Sequence, residues 1–191
     1  IPEEGLALPG QVIVGADSHT VTSGALGAFA TGLGSTDIAV AMFLSKTWLR
    51  VPETMRFIIK GKLPRGVYSK DVMLYIVGKI GVDGATYRSM ELVGPAVDSW
   101  GIADRAVLPN MAVEAGGKCG LCPSDERTRE YLTAQGRPQD YKPLAGDMDA
   151  PCSFEMTTDC STLEPQIAMP HNVDNVVGVT DKKVKGVKVH Q

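Results

Sequence analysis

Gln11-Val12-Ile13-Val14-Gly15-Ala16-Asp17-Ser18-His19-Thr20 runs from an apolar stretch straight into four polar side chains. The apolar half reads as a short buried strand, because β-branched residues fill it. Small apolar residues over 24–30 predict a closely packed helix, which Gly32-Leu33-Gly34 breaks. Ser35 is placed to cap the next helix, and Asp37 falls in its positive first turn. Residues 38–49 are apolar enough for that helix to be buried, and Val51-Pro52 ends it. A strand that feeds a helix through a glycine-rich turn is the repeating unit of an α/β fold.

The same alternation continues along the chain. Residues 54–60 alternate as a strand and residues 61–66 turn. Ser69 caps a helix with Val72, Ile76 and Ile80 on one side, and Gly81 stops it. Residues 89–93 read as another strand and residues 108–115 as a short helix. Ser124 is placed to cap a helix with Asp125 and Glu126 at its positive end and Gly136 at its close. Residues 141–165 carry loop chemistry and read as a linker. An apolar stretch near 173–179 follows, then a strand over 184–191. The expected division is therefore 1–52 as a first α/β unit, 53–140 as a second, and 141–191 as a linker and terminal strand. With no initiator Met at Ile1 and a last strand that stops without a terminator, the ends read either as those of a piece of a longer polypeptide or as the frayed ends of a complete small protein.

The 191 residues carry 19 Lys+Arg against 22 Asp+Glu, a net charge of −3, which argues against a nucleic-acid binder with its basic face. No apolar run approaches the ~20 residues that span a bilayer, and no basic segment leads into an apolar one as in a secretory signal. Four cysteines, Cys119, Cys122, Cys152 and Cys160, are too few to staple a chain of this size, so a reducing, cytoplasmic compartment is expected. The 21 glycines follow no period and interleave with Ala, Val, Ile and Leu, which excludes collagen and disorder.

Asp17-Ser18-His19-Thr20 places an acid, an imidazole and two hydroxyls where a strand gives way to a helix. Ligands bind at the carboxyl ends of strands in α/β folds, and a histidine there can exchange a proton near neutral pH. The plainer alternative is an N-capping turn. Asn110 and Glu114 stand four apart and so share a helix face. Apolar neighbours suggest that this helix is buried, in which case Glu114 needs a partner. His19 is one candidate. Lys118 at i,i+4, or open solvent, is the other.

Cys119-Gly120-Leu121-Cys122 is a lone CxxC. A structural zinc site needs a second pair, and Cys152 and Cys160 have the wrong spacing. A reactive thiol would need an electropositive helix start, so a metal or redox module stands as the competing reading and incidental thiols as the plain one. Gly32-Leu33-Gly34 and Gly61-Lys62 lack phosphate-loop frames and read as turns. His171, in a loop after Pro170, is expected to be exposed or locally bonded; Trp48, Trp100 and Tyr131 are expected to pack.

Five blocks in order carry a resemblance: Gly15-Ala16-Asp17-Ser18-His19-Thr20, Gly24-Ala25-Leu26-Gly27-Ala28, Gly32-Leu33-Gly34-Ser35-Thr36-Asp37, the stretch from Gly78 to Thr86, and Asn110-Met111-Ala112-Val113-Glu114-Ala115-Gly116. Together they resemble the aconitase superfamily, most closely its branch of isopropylmalate dehydratase and homoaconitase large subunits. The resemblance implies a three-layer α/β/α fold of which this chain holds parts of two adjacent domains. It implies a hydro-lyase that moves a hydroxyl between adjacent carbons of a hydroxy acid, with isopropylmalate, homocitrate or homoaconitate, and dimethylmalate all compatible. It also implies a [4Fe-4S] cluster in the full-length subunit, with one iron acting as Lewis acid.

Carried onto this sequence, His19 matches the imidazole near the leaving hydroxyl and Glu114 its carboxylate partner. Asp17 matches an acid that pairs with a second histidine expected before Ile1. Ser18 matches a substrate-contacting hydroxyl, and Asn110 the polar neighbour of the cluster. The family's cluster cysteines would lie beyond Gln191, and Cys119 and Cys122 match none of them. No metal ligand is therefore expected in this chain, and alone it should be inactive. The expected partners are a small, swivelling-domain subunit and a small hydroxy acid, with neither nucleic acid nor membrane.

Overall fold

Gly15 and Gly32 close two parallel strands at the same level. β1 (Val12–Gly15) pairs with β2 (Phe29–Gly32), with Val12 opposite Phe29. A 3₁₀ helix, Ser18–Leu26, crosses between them. The computed structural model describes residues 1–188. The helix expected over 24–30 thus lies earlier and stops sooner. Gly27 takes a left-handed conformation (φ 78°) that ends it, and Phe29 already belongs to a strand. The small residues serve another purpose. A side chain on Gly24 would collide with the carbonyl of Gly120, and the Gly24 carbonyl accepts the Cys122 N–H at 3.0 Å. Glycine here lets the first unit press against the second.

α1 (Ser35–Leu44) corrects a second expectation. Gly34 rather than Ser35 occupies the cap position, and the helix closes at Ser45, short of residue 49. None of its residues is buried, with Phe43 88% exposed and Trp48 beyond it 83% exposed. The run has the apolarity to be buried, but nothing among the described residues covers it.

The larger unit begins at β3 (Thr54–Lys60) and continues through α2 (Ser69–Ile80), β4 (Ser89–Val93), α3 (Pro95–Ser99), α4 (Ile102–Asn110), β5 (Cys119–Leu121), α5 (Glu126–Ala134) and β6 (Phe154–Asp159). Its four strands are parallel, in the order β5-β4-β3-β6. Alternation in β3 sends Met55, Phe57 and Ile59 to one face, where they meet Met90 and Leu92 of β4 and Val72, Met73, Ile76 and Val77 of α2. Each such side chain contributes roughly 1.5–3 kcal/mol on burial. Trp100 joins this core, and Tyr131 packs against the smaller cluster of Ala7, Leu26 and Ile102.

The opposite face carries Arg56, only 4% exposed. Its guanidinium donates to Glu91 at 2.8 Å and to the carbonyls of Met148 and Asp147 at 2.8 and 3.0 Å. The segment expected to be a linker is therefore strapped across the sheet and then supplies β6. Phe154-Glu155-Met156-Thr157-Thr158-Asp159 escapes a strand reading because, as an edge strand, it keeps polar residues.

Smaller corrections share one cause, in that a neighbouring residue caps better. Asp125 caps α5 by accepting from Arg127 and Thr128, while Ser124 donates to the Lys142 carbonyl at 2.7 Å. Tyr68 precedes α2, and Asp71 accepts its N–H at 2.7 Å, so Ser69 is already helical. The helix expected over 108–115 divides at Asn110 into the end of α4 and a 3₁₀ turn, Met111–Ala115, with Pro109 in the last turn of α4. A hairpin of β7 (Gln166–Ala168) and β8 (Val176–Gly178) follows. The strand expected over 184–191 is a run of turns through Val187, with the Val187 N–H on the Val184 carbonyl; Val189, His190 and Gln191 lie outside the described residues. Among the described residues, no helix is long and apolar enough to cross a membrane. The fold class is α/β, a parallel sheet flanked by helices.

Candidate active site

Asp17 fixes the turn that leaves β1. Its carboxylate accepts the His19 N–H at 2.8 Å and so caps the 3₁₀ helix, and its carbonyl accepts the Thr20 hydroxyl at 2.6 Å. The capping alternative is thus real, but it does not exhaust the turn. The His19 ring stands clear of the backbone with Nδ1 3.5 Å from Asp17 Oδ1 and 3.3 Å from the Ser18 hydroxyl. Its other nitrogen, Nε2, lies 3.9 Å from Glu114 Oε1. An imidazole from one end of the first unit therefore faces a carboxylate from the second.

Glu114 is less buried than the sequence implies, at 39% exposed against 46% for His19. Burial alone therefore does not compel their pairing. Lys118, the other candidate partner of Glu114, lies over the Tyr87 ring instead, 5.4 Å from its centroid. Asn110 does not touch the pair directly. Its amide donates to Thr22 Oγ1 at 2.9 Å, and that hydroxyl donates to the His19 carbonyl at 2.7 Å. Thr22 is a member that sequence reasoning missed, since nothing local marks it out from the other hydroxyls of the same helix.

Glu114 and Asn110 line a cleft of about 940 Å³ between α2, α4 and β7, together with Lys70, Asp71 and Gln166. Ser18 lines a neighbouring depression of about 630 Å³ with Gly32 and Gly116. Gly32, read from sequence only as a turn, is pressed against this site. A Cβ there would stand 2.7 Å from Ser18 Cα and 2.8 Å from the Asp17 carbonyl. Both neighbours are backbone and cannot yield cheaply. Gly32→Ala is expected to destabilise by about 1–3 kcal/mol and displace the Asp17–His19 turn, read as a lower melting temperature together with lower turnover.

The cysteines do not join this site. Burial pushes the Cys119 thiol up to about 11, against a hydrogen bond to Ser89 at 3.2 Å, and the Cys122 thiol up to about 12. A thiol so raised is a poor nucleophile, which argues against a redox module, and two buried thiols by themselves are too few ligands for a cluster or a structural zinc. Among the described residues, no group of three or more His, Cys, Asp or Glu is placed to hold a metal ion. His171 is exposed, as expected.

Comparison with known proteins adds to this geometry. The profile of the aconitase family (aconitate hydratase) matches residues 1–190. The chain is 51% identical over its whole length to the probable 3-isopropylmalate dehydratase large subunit of Methanothermobacter thermautotrophicus, covering 45% of that protein. It is 52% identical, over all of its length and 45% of the relative, to the 3-isopropylmalate dehydratase large subunit of Oleidesulfovibrio alaskensis. With 3-isopropylmalate dehydratase large subunit 1 of Thermotoga maritima the identity is 47% over 96% of this chain and 44% of the relative. The chain thus spans less than half the length of the curated relatives it matches. A family profile matched almost end to end, on an α/β fold that carries the ordered motifs, means that the chain belongs to the aconitase family.

Proposed function

We propose that this chain supplies the acid–base wall of the large subunit of a 3-isopropylmalate dehydratase, a hydro-lyase that interconverts 2-isopropylmalate and 3-isopropylmalate. The approach of His19 Nε2 to within 3.9 Å of Glu114 Oε1 carries the reading, supported by relatives bearing that name. At 3.9 Å the pair is too long for a hydrogen bond, which leaves Nε2 open to a substrate hydroxyl.

Loss of that hydroxyl as water requires a proton at the departing oxygen and removal of the C–H proton on the adjacent carbon, which a base outside this chain would take. Rehydration in the other sense takes a proton from the entering water and returns the one held by the base to carbon. His19 holds and delivers the proton at the oxygen, while Glu114 stabilises the imidazolium. Asp17 fixes the turn through the His19 N–H, and Ser18 offers its hydroxyl to the substrate. Thr22 and Asn110 hold the His19 carbonyl from the cleft side. The buried thiols of this chain do not fit the [4Fe-4S] cluster that the family implies; cysteines outside this chain would hold it, with Asn110 beside it. Alone, the chain would bind no cluster and turn over no substrate.

Residues 1–52 and 53–140 are read as parts of two neighbouring domains, supported by two separate parallel sheets, and 141–191 as the link toward a third. A small subunit bearing the swivelling domain is the partner. Four free cysteines support a reducing, cytoplasmic setting. The test assays the complete large subunit with its small subunit on isopropylmalate, homoaconitate and dimethylmalate, following the unsaturated intermediate by absorbance. Isopropylmalate is expected to give the highest kcat/KM, by about tenfold or more. Turnover of another acid in its place would reject the assignment.

A further inference from the structure

We propose that Lys70 is a substrate-binding residue that takes a carboxylate of the hydroxy acid in the cleft lined by Asn110 and Glu114. The proposal rests on the dehydratase reading, which requires a dianionic substrate. Lys70 is the one cation among the residues lining that cleft, and it is exposed.

Its placement is unfavourable for stability. Lys70 is the second residue of α2, at the end where the helix dipole is positive and a cation is disfavoured. The adjacent Asp71 does not compensate. One of its oxygens accepts the Tyr68 N–H at 2.7 Å and the other accepts the Gln166 N–H at 2.7 Å. Among the described residues, Lys70 has neither an ion pair nor a hydrogen bond. The contrast within the same helix is direct, since Lys79 sits in the favourable last turn with its ammonium 5.1 Å from the Tyr75 ring centroid.

A residue that breaks a local rule without compensation marks a place where function sets the choice. The Asp71 carboxylate already caps the start of α2, so the Lys70 ammonium is the group that offers its charge to an anion in the cleft. Meanwhile Asp71 ties the start of α2 to β7, so the wall that carries Lys70 is braced. A long flexible stem ending in a point charge suits a carboxylate held at a distance from the acid–base pair.

The test uses the complete large subunit with its small subunit. Lys70→Met is expected to raise KM for isopropylmalate about tenfold or more, with kcat within about threefold, because a contact made equally to substrate and transition state acts on KM. Lys70→Arg restores most of the loss. Lys62→Met, an exposed lysine outside the cleft lining, changes nothing. Inhibition by isopropylsuccinate, which has both carboxylates and no hydroxyl, weakens in Lys70→Met in step with KM. An unchanged KM and inhibition constant in Lys70→Met, or a fall in kcat alone, overturns the proposal. His19→Ala separates the two readings: if it is inactive while Lys70→Met is normal, only Lys70 is misassigned, and if it is active the dehydratase reading itself falls.

Discussion

His19→Ala and Glu114→Ala, each made in the complete enzyme, are expected to lower kcat by roughly 10²–10⁴-fold, the worth of a positioned proton-transfer group. Neither should cost much stability. Both side chains are substantially exposed, and neither belongs to the buried core. Truncation therefore opens no cavity and strands no buried partner. Glu114→Gln keeps the shape and removes the charge; a loss close to that of Glu114→Ala identifies stabilisation of the imidazolium as the part Glu114 plays. The double variant should cost about as much as the more damaging single one, because groups that act as a unit are not additive. Turnover kinetics beside circular dichroism check this set. If both single variants keep turnover within about threefold, the pair has no part in proton transfer.

Arg105→Met is expected to have the largest effect on stability, about 3–5 kcal/mol, the cost of leaving a buried ion pair broken. Arg105 is wholly buried. It donates to both oxygens of Asp125 at 2.9 and 2.7 Å, and to the carbonyls of Val97, Pro123 and Asp98 at 3.0, 3.1 and 3.3 Å. One guanidinium thus joins the end of α3, the start of α5 and the segment between β5 and α5. Methionine fills the volume and satisfies none of these acceptors.

The same contacts set a pH dependence. Burial pushes the Asp125 carboxyl up, but the Arg105 hydrogen bonds and charge, with the Arg127 and Thr128 N–H groups, outweigh it and hold the carboxyl below its usual range. A carboxyl lower in the folded state than in the unfolded one stabilises above its unfolded value, and that contribution is lost as pH falls through the folded one. Asp98 runs the other way, raised by burial and by the Asp125 charge against Arg105, and so offsets part of the loss. Denaturant midpoints at neutral and acid pH should show the parent losing stability on acidification and Arg105→Met losing less. Equal slopes would remove Arg105 as the cause.

β3, α2 and β4 stand where the sequence places them, because each pattern reports a local fact: alternation over 54–60, a helical stripe ended by Gly81, a short apolar run over 89–93. What escaped depends on distant segments. An apolar run states that α1 can be buried but not that a surface exists to cover it. β6 looks polar because its place at the sheet edge, beside β3, is decided by register across the fold. Arg56, gripping the Asp147 and Met148 carbonyls, turns a supposed linker into cover for the sheet, and no local signal announces that. Within the site, residue chemistry singled out Asp17, Ser18, His19, Asn110 and Glu114. The meeting of His19 with Glu114, and the Thr22 hydroxyl between Asn110 and the His19 backbone, are products of tertiary packing.

Because His19 and Glu114 meet from opposite sides of the contact between the two units, no short stretch of this polypeptide holds both. Newly made chain cannot bring the two groups together until its halves have found one another. With the proton-transfer roles proposed for His19 and Glu114, competence would certify completed folding, and a molecule caught half-assembled would be kept from starting a reaction it cannot finish.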